Sequence, residues 1–237
     1  MWVFVLAAVS GVVEWVRAYL DDRHQFKRVI EHLVDDCAKQ LFSDRQKQNR
    51  ITLFKVTTGW RAFLWSMARL PLFQKLNKWR AAFRLRWAER YLAVYYRPAI
   101  VRNRHSTTAL RVSDLADECE GMAGLVYEEG FYVVADLPAI TRLQVSSVKS
   151  MASLTKQDPV RHYAEATKIS DLHLLRTFDT FARHFMGVTV RTSNGTPWGV
   201  LLIDSEEPKC PFSMPSGGGI IKDQLNNTAR IIGKLVN

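Results

Sequence analysis

The fold is decided by the stretch Gly187-Val-Thr-Val-Arg191, then Thr192-Ser-Asn-Gly-Thr-Pro197, then Trp198-Gly-Val-Leu-Leu-Ile-Asp204. Two apolar runs rich in β-branched residues flank the pair Asn194-Gly195. These two residue types tolerate positive φ, so they favour the tight turns that connect antiparallel strands. The sequence therefore predicts a β-hairpin in this stretch.

Further strands and helices are predicted on both sides of the hairpin. Alternating or β-branched apolar residues predict strands at residues 50–56, 91–101 and 131–135. Helical spacing predicts helices at residues 113–126, 158–167 and 170–181, and a closing amphipathic helix at 219–236. Successive antiparallel strands with helices at both ends predict an α+β fold.

Four segments, in this order, carry a family resemblance. They are Arg50-Ile-Thr-Leu-Phe54, the run from Cys119 to Tyr127 with Val134-Ala-Asp-Leu-Pro138, the run from Gly195 to Ser205, and the closing helix. Together they resemble the GAF domain family of small-molecule sensor modules, over about residues 30–236 without the insertion described below. The resemblance implies a six-stranded antiparallel sheet with helices on its faces, preceded by a long N-terminal helix.

The resemblance also implies a ligand pocket on one face of the sheet. We expect a small molecule to bind between the sheet and residues 121–137 and to shift helices 16–47 and 219–236 between two packings. The expected ligand-binding residues are Met122, Tyr127, Phe131 and Tyr163, with Arg191 as an anion partner. Each of them could instead belong to the core, in which case the fold would be a ligand-free structural module for dimerisation or recruitment.

The chain divides into three parts. These are a hydrophobic helix at residues 1–20, an amphipathic connecting helix at 21–48, and the GAF-like domain at 49–237 with a basic aromatic insertion at 59–90. The spacing of apolar residues in the connecting helix fits a coiled-coil homodimer through residues 16–41, and it fits equally a helix that packs on its own domain.

The first segment is almost wholly apolar from Met1 to Val13, but a bilayer crossing needs about 20 such residues. Three interpretations stay open: a short or tilted anchor with Trp15 and Tyr19 at the interface, a helix in a protein core, or the end of a longer membrane region. If the helix spans, Lys and Arg on its C-terminal side place the domain in the cytoplasm, as a membrane-associated protein.

The positive charge is concentrated in and around the insertion. The chain has a net charge of +10, and its residues 59–105 hold eleven Lys or Arg but one acid, Glu89. An aromatic stripe edged by basic residues fits a helix lying on an anionic membrane. Packing on the domain itself is the plain alternative, and nucleic acid is a less favoured partner. The expected membrane-contact residues are Trp65, Lys75, Trp79, Arg80, Phe83, Arg86, Trp87 and Arg90.

Sequence motifs for catalysis are absent. There is no phosphate-binding glycine loop, no GxSxG and no HExxH. The three cysteines lie far apart, whereas the free methionine sulfoxide reductases, which share a GAF-like fold, group theirs in the pocket. Cys119 is the one cysteine in a pocket-forming segment. We therefore expect a binding module with no enzymatic activity, no cofactor and no metal.

Overall fold

The computed structural model describes residues 25–42, 48–69, 85–98, 108–113, 118–178, 180–212 and 218–236. The strands are β1 (Asn49–Thr58), β2 (Arg90–Tyr96), β3 (Ala109–Val112), β4 (Phe131–Val134), β5 (His184–Arg191) and β6 (Pro197–Ser205). The helices are α1 (25–42), α2 (Gly59–Arg69), α3 (Gly121–Glu129), α4 (Arg142–Ser147), α5 (Pro159–Ala166), α6 (Leu172–Leu175) and α7 (Gly218–Leu235), with a 3-10 turn at Met151–Ser153.

The six strands form one antiparallel sheet in the order β3-β2-β1-β6-β5-β4. The predicted α+β fold and its six-stranded sheet are therefore confirmed. The hairpin is β5–β6, and Gly195 in its turn has a φ of 82°, which a residue with a side chain rarely adopts.

Alternate residues of the strands build two separate cores, because successive side chains point to opposite faces of a sheet. On one face, Phe54, Val94 and Leu202 pack with α3, α4, α5 and α6. On the other face, Leu53 and Ile203 pack with α1 and α7. The terminal helices α1 and α7 are thus separated from α3, α4, α5 and α6 by the sheet.

The apolar stripe of the connecting helix packs on the domain itself from Ile30 onward. Ile30 and Cys37 are buried against the sheet and α7, while Phe26 stays exposed. The side chains of Gln40 and Gln224 are hydrogen-bonded, so α1 and α7 lie side by side. The long N-terminal helix is not confirmed, because residues 1–24, with the predicted anchor, lie outside the described residues. Of the helices that the structure describes, none is long and apolar enough to cross a membrane.

Helix α3 begins later than predicted, at Gly121 and not at residue 113. Glu120 is extended, and Gly121 has a φ of 74°, which is incompatible with a helix interior. The short strand β3 lies just before the predicted helix and was not predicted from the sequence. The predicted helix at 170–181 is likewise reduced to one turn, α6. After it, the N–H groups of Thr177 and Phe178 donate to carbonyls three residues earlier, which is not the α-helical pattern.

Candidate functional site

A cavity of about 470 Å³ lies where β3, the start of α3, the 3-10 turn and α5 meet. Its size is in the range of small-molecule sites in proteins. The lining combines charged side chains with apolar surface, and it is formed by Arg111, Glu118, Cys119, Glu120, Met151, Ala152, Arg161, Ala164, Glu165, Lys168, Ile169 and Ser170.

Helix α5 supplies the charged wall of the cavity. Asp158 caps this helix by accepting a hydrogen bond from the backbone N–H of Val160, and Pro159 begins it. Arg161 and Glu165 are four residues apart and therefore lie on one side of the helix, and Lys168 follows just after its end. Arg161 donates from Nε to Glu165 Oε1 at 2.7 Å.

Two backbone features, at Lys168 and Gly121, shape the cavity where α5 ends and α3 begins. Lys168 adopts a left-handed conformation with a φ of 50°, which turns the chain back after α5 so that Ile169 and Ser170 also line the space. Its carbonyl accepts a hydrogen bond from the N–H of Gly121 at 3.5 Å. Glycine is favoured at position 121 because its φ of 74° is rare for residues with a side chain, and a Cβ there would also approach a methyl carbon of Leu110 to 2.9 Å.

The opposite wall is formed by Arg111 on β3 and Glu120, which are joined by two hydrogen bonds. The N–H of Glu120 donates to the carbonyl of Arg111 at 2.8 Å, and the N–H of Arg111 donates to Glu120 Oε2 at 3.1 Å. The guanidinium of Arg111 lies 3.9 Å from Glu89, and its Nε is buried without a hydrogen-bond partner among the described residues. This wall therefore places a guanidinium group next to a carboxylate, with its Nε buried inside the protein.

Cys119 lines the cavity as a buried thiol. Burial raises its pKa, although a hydrogen bond from its Sγ to the carbonyl of Ser113 acts in the opposite direction. The thiol is therefore protonated near neutral pH, whereas nucleophilic or redox cysteines are thiolates. Cys37 packs in the core on the other face of the sheet, and Cys210 lies in the segment after β6.

The five residues predicted to bind a ligand are not brought together. Met122, Tyr127 and Tyr163 are buried in the core between the sheet and α3–α6. Phe131 faces α7, where Lys222 Nζ lies 4.3 Å from its ring centroid, and Arg191 is exposed and donates to the carbonyl of Gly195. The lining of the cavity includes none of the five. The spacing of Arg161, Glu165 and Lys168 was the sequence signal that could have identified it.

A second polar cluster lies inside the fold, at the paired residues Arg50 of β1 and Asp204 of β6. Their side chains form a direct ion pair and are 12% and 8% exposed. Arg50 also donates to Thr180 Oγ1, and its NH1 lies 2.9 Å from Glu206 Oε1. Tyr163 of α5 lies close enough for the charge of Asp204 to act on its hydroxyl group.

The pKa shifts of this cluster follow from burial and pairing. Burial lowers the pKa of Arg50, but the carboxylates of Asp204 and Glu206 outweigh it and raise that pKa overall. Burial first, and then the charge of Asp204, raises the pKa of Tyr163. Burial lowers the pKa of Arg97, whose Nε donates to Thr52 Oγ1 at 2.9 Å. Because Arg50 is fully engaged by protein groups, we assign this cluster a structural role.

The predicted membrane-contact residues are described only in part. Trp65 falls within α2, and Lys75, Trp79, Arg80 and Phe83 lie outside the described residues. Arg86 and Trp87 are exposed, in a turn and not in the predicted helix. Arg90 is half-buried because it is the first residue of β2, where it pairs with Thr58. This last residue belongs to the sheet.

Within the described ranges, no three His, Cys, Asp or Glu side chains are grouped so that they could hold a metal ion.

No protein-family model matches the chain, and no curated protein matches it at a significant level.

Proposed function

We propose that this chain is a GAF-like binding module that takes up a small zwitterionic molecule in the cavity between β3 and α5. The observation that carries the proposal is the lining of that cavity. It combines three cations, Arg111, Arg161 and Lys168, with three carboxylates, those of Glu118, Glu120 and Glu165. The opposed charges suit a ligand that carries both an acid group and an amine.

The electrostatics of the cavity favour such a ligand over a simple anion or cation. A ligand with one charge would meet as many repulsive as attractive groups. A zwitterion can place its acid group near the lining cations Arg111, Arg161 and Lys168 and its amine near Glu120 or Glu118, so that both charges are compensated. The volume of about 470 Å³ suits a molecule the size of an amino acid or dipeptide.

Helix α5 offers a connection from the cavity to the sheet. Arg161 and Glu165 of this helix line the cavity, while Tyr163 between them is buried toward the Arg50–Asp204 pair. The other face of the same strands carries α1 and α7. A ligand that favours one position of α5 would therefore alter the packing of the terminal helices, provided that it binds the two states with different affinities.

The test is a thermal-shift screen of the purified chain against the common amino acids, each at millimolar concentration. We expect at least one to raise the melting temperature, since a ligand at 100 times its Kd stabilises a protein by about 2.7 kcal/mol. Arg161→Gln is expected to abolish the shift. Arg142→Gln, on the exposed side of α4, is the matched control and is expected to retain it. A screen without a stabilising compound, or a shift unchanged in Arg161→Gln, would refute the proposal.

A second function, self-association without a ligand, is favoured by one observation. Phe26 and Val29 on α1 are 50% and 45% exposed, and both fall within the segment predicted to dimerise. The filled core around Met122, Tyr127 and Tyr163 is consistent with it. A dimeric mass in light scattering, together with a negative screen, would favour this second function over the first.

A further inference from the structure

Helix α2 has one face buried against the domain and an opposite face that exposes large apolar side chains. Its inner face packs Ala62 against Leu85, Tyr91 and Ala109 at the outer strands of the sheet. Its outer face presents Trp60 and Leu64, which are 43% and 46% exposed. These two residues are four apart and therefore adjacent on the helix surface. The apolar outer face is not needed to hold the helix on the domain.

Trp87 extends this outer face from a second segment. Its side chain is 69% exposed, and its ring lies 5.0 Å from that of Trp60, between centroids, at an angle of 50°. Trp60, Leu64 and Trp87 thus form one exposed apolar patch, which we call the Trp60 patch. Large apolar side chains grouped on a surface mark an interaction site more often than the same residues scattered singly.

The Trp60 patch is fixed rigidly to the sheet. The N–H of Gly59 donates to the carbonyl of Glu89 at 2.8 Å, and Thr58 pairs with Arg90. A Cβ on Gly59 would lie 1.8 Å from the carbonyl oxygen of Arg86, so the two segments approach as closely as glycine allows. The backbone that carries the two tryptophans is therefore already held in place when a partner binds, which lowers the entropic cost of association.

Two arginines flank the Trp60 patch. Arg61 is exposed next to Trp60, and Arg86 is next to Trp87, with a side chain that is 76% exposed and pairs with Glu89 at 3.1 Å. In the sequence, residues 59–105 carry the whole net charge of the chain. An apolar centre with a cationic edge is complementary to an anionic bilayer, where tryptophan rings settle at the headgroup level and arginines reach the phosphates.

We propose that the Trp60 patch docks the domain onto membranes that contain anionic lipid. The rings of Trp60 and Trp87 and the side chain of Leu64 enter the headgroup region, while Arg61 and Arg86 bind lipid phosphates. This inference does not depend on the cavity or on its ligand, since the patch lies on the outer side of α2.

The test is flotation of the full chain with vesicles of phosphatidylcholine alone or mixed with phosphatidylserine, at low and high salt. We expect stronger binding to the mixed vesicles, weakened by salt because exposed charges are screened. Arg61→Glu changes two charges, so we expect it to lower the partition coefficient for the mixed vesicles roughly 30-fold, at about a factor of five per unit of charge at an anionic surface. Leu64→Glu should lower it at least as far.

Matched variants separate the Trp60 patch from general surface effects. Leu143→Glu changes a more exposed leucine on α4, and Lys209→Glu reverses a charge in the segment after β6. Both variants should bind as the parent chain does. Binding of Arg61→Glu and Leu64→Glu equal to that of the parent, or equal loss in the two controls, would overturn the proposal. Loss of binding to a single-stranded oligonucleotide with unchanged vesicle binding would overturn it in favour of nucleic acid.

Discussion

Arg50 is the residue on which the buried charges of this fold depend. It pairs with Asp204 of β6, with Glu206 just after that strand, and with Thr180 in the segment before β5. Taking two charges out of water is costly, and their attraction offsets that cost only when both partners are present. The cluster therefore makes the join between β1 and β6 sensitive to a single side chain.

We expect Arg50→Met to lower the free energy of unfolding by about 3–5 kcal/mol, because it leaves the carboxylate of Asp204 buried without its partner. Urea denaturation measures this change. Arg28→Met, on the exposed side of α1, is the control and should stay within about 0.5 kcal/mol of the parent. A loss for Arg50→Met no larger than that of the control would show that the carboxylates find other partners.

Helix α7 approaches β5 so closely that one position in it has no room for a side chain. A Cβ on Gly233 would lie 2.0 Å from the carbonyl oxygen of Arg191, whereas one on Gly219 would meet no atom within 4 Å. Both glycines lie in the same helix. Their contrast separates the packing of this helix from its intrinsic propensity.

We expect Gly233→Ala to destabilise the protein by about 1–3 kcal/mol, because α7 must move away from the sheet. Gly219→Ala should be neutral or should stabilise it by up to about 1 kcal/mol, since alanine is the better helix former. Thermal unfolding of the two variants provides the comparison. Equal stability of the two would contradict the close approach of α7.

Elements with strong local signals were predictable from the sequence. The hairpin turn at Asn194-Gly195, the opening strand β1 and the closing helix α7 are formed by their own residue patterns, and they lie close to the predicted positions. Strand β3 was not predicted, since its four residues carry too little pattern and it is defined by pairing with β2. The start of α3 depends on the conformation of Gly121, which spacing alone does not reveal.

The candidate site was less predictable than the elements that form it. The spacing of Arg161 and Glu165, with Lys168 just after the helix, indicates the charged side of α5. Its counterpart, Arg111, lies fifty positions earlier in a strand that the sequence did not reveal. A cavity is the space that remains after distant segments pack. The aromatic residues expected to line a pocket, such as Tyr163, fill the core because they can be buried there.

At the scale of the whole molecule, burial shifts several acidic groups in the same direction. It raises the pKa values of Cys37, Cys119 and Cys210, and also those of Tyr95 and Tyr163. The folded chain therefore keeps protons that the unfolded chain would release in alkaline solution. Stability is fully present below the unfolded pKa values and is lost as the pH rises through the folded ones.

We expect the urea midpoint to fall once the pH exceeds about 8.5, where thiols in an unfolded chain begin to ionise. Urea titrations between neutral pH and pH 10 test this expectation. The double variant Cys37→Ala, Cys119→Ala serves as the comparison, and its midpoint should fall less steeply with pH. A midpoint that rises over the same interval would contradict the assigned direction of these shifts.

The strand order described above also has a consequence for the route by which the chain folds. Strands β1, β2 and β3 form one continuous half of the sheet, and β4, β5 and β6 form the other. The halves meet only where β1 pairs with β6, a contact between segments that are far apart in the chain. Contacts of high sequence separation form slowly because a long loop must close first. We therefore expect the joining of β1 to β6 to be the slow step of folding, which also brings the Arg50–Asp204 pair together.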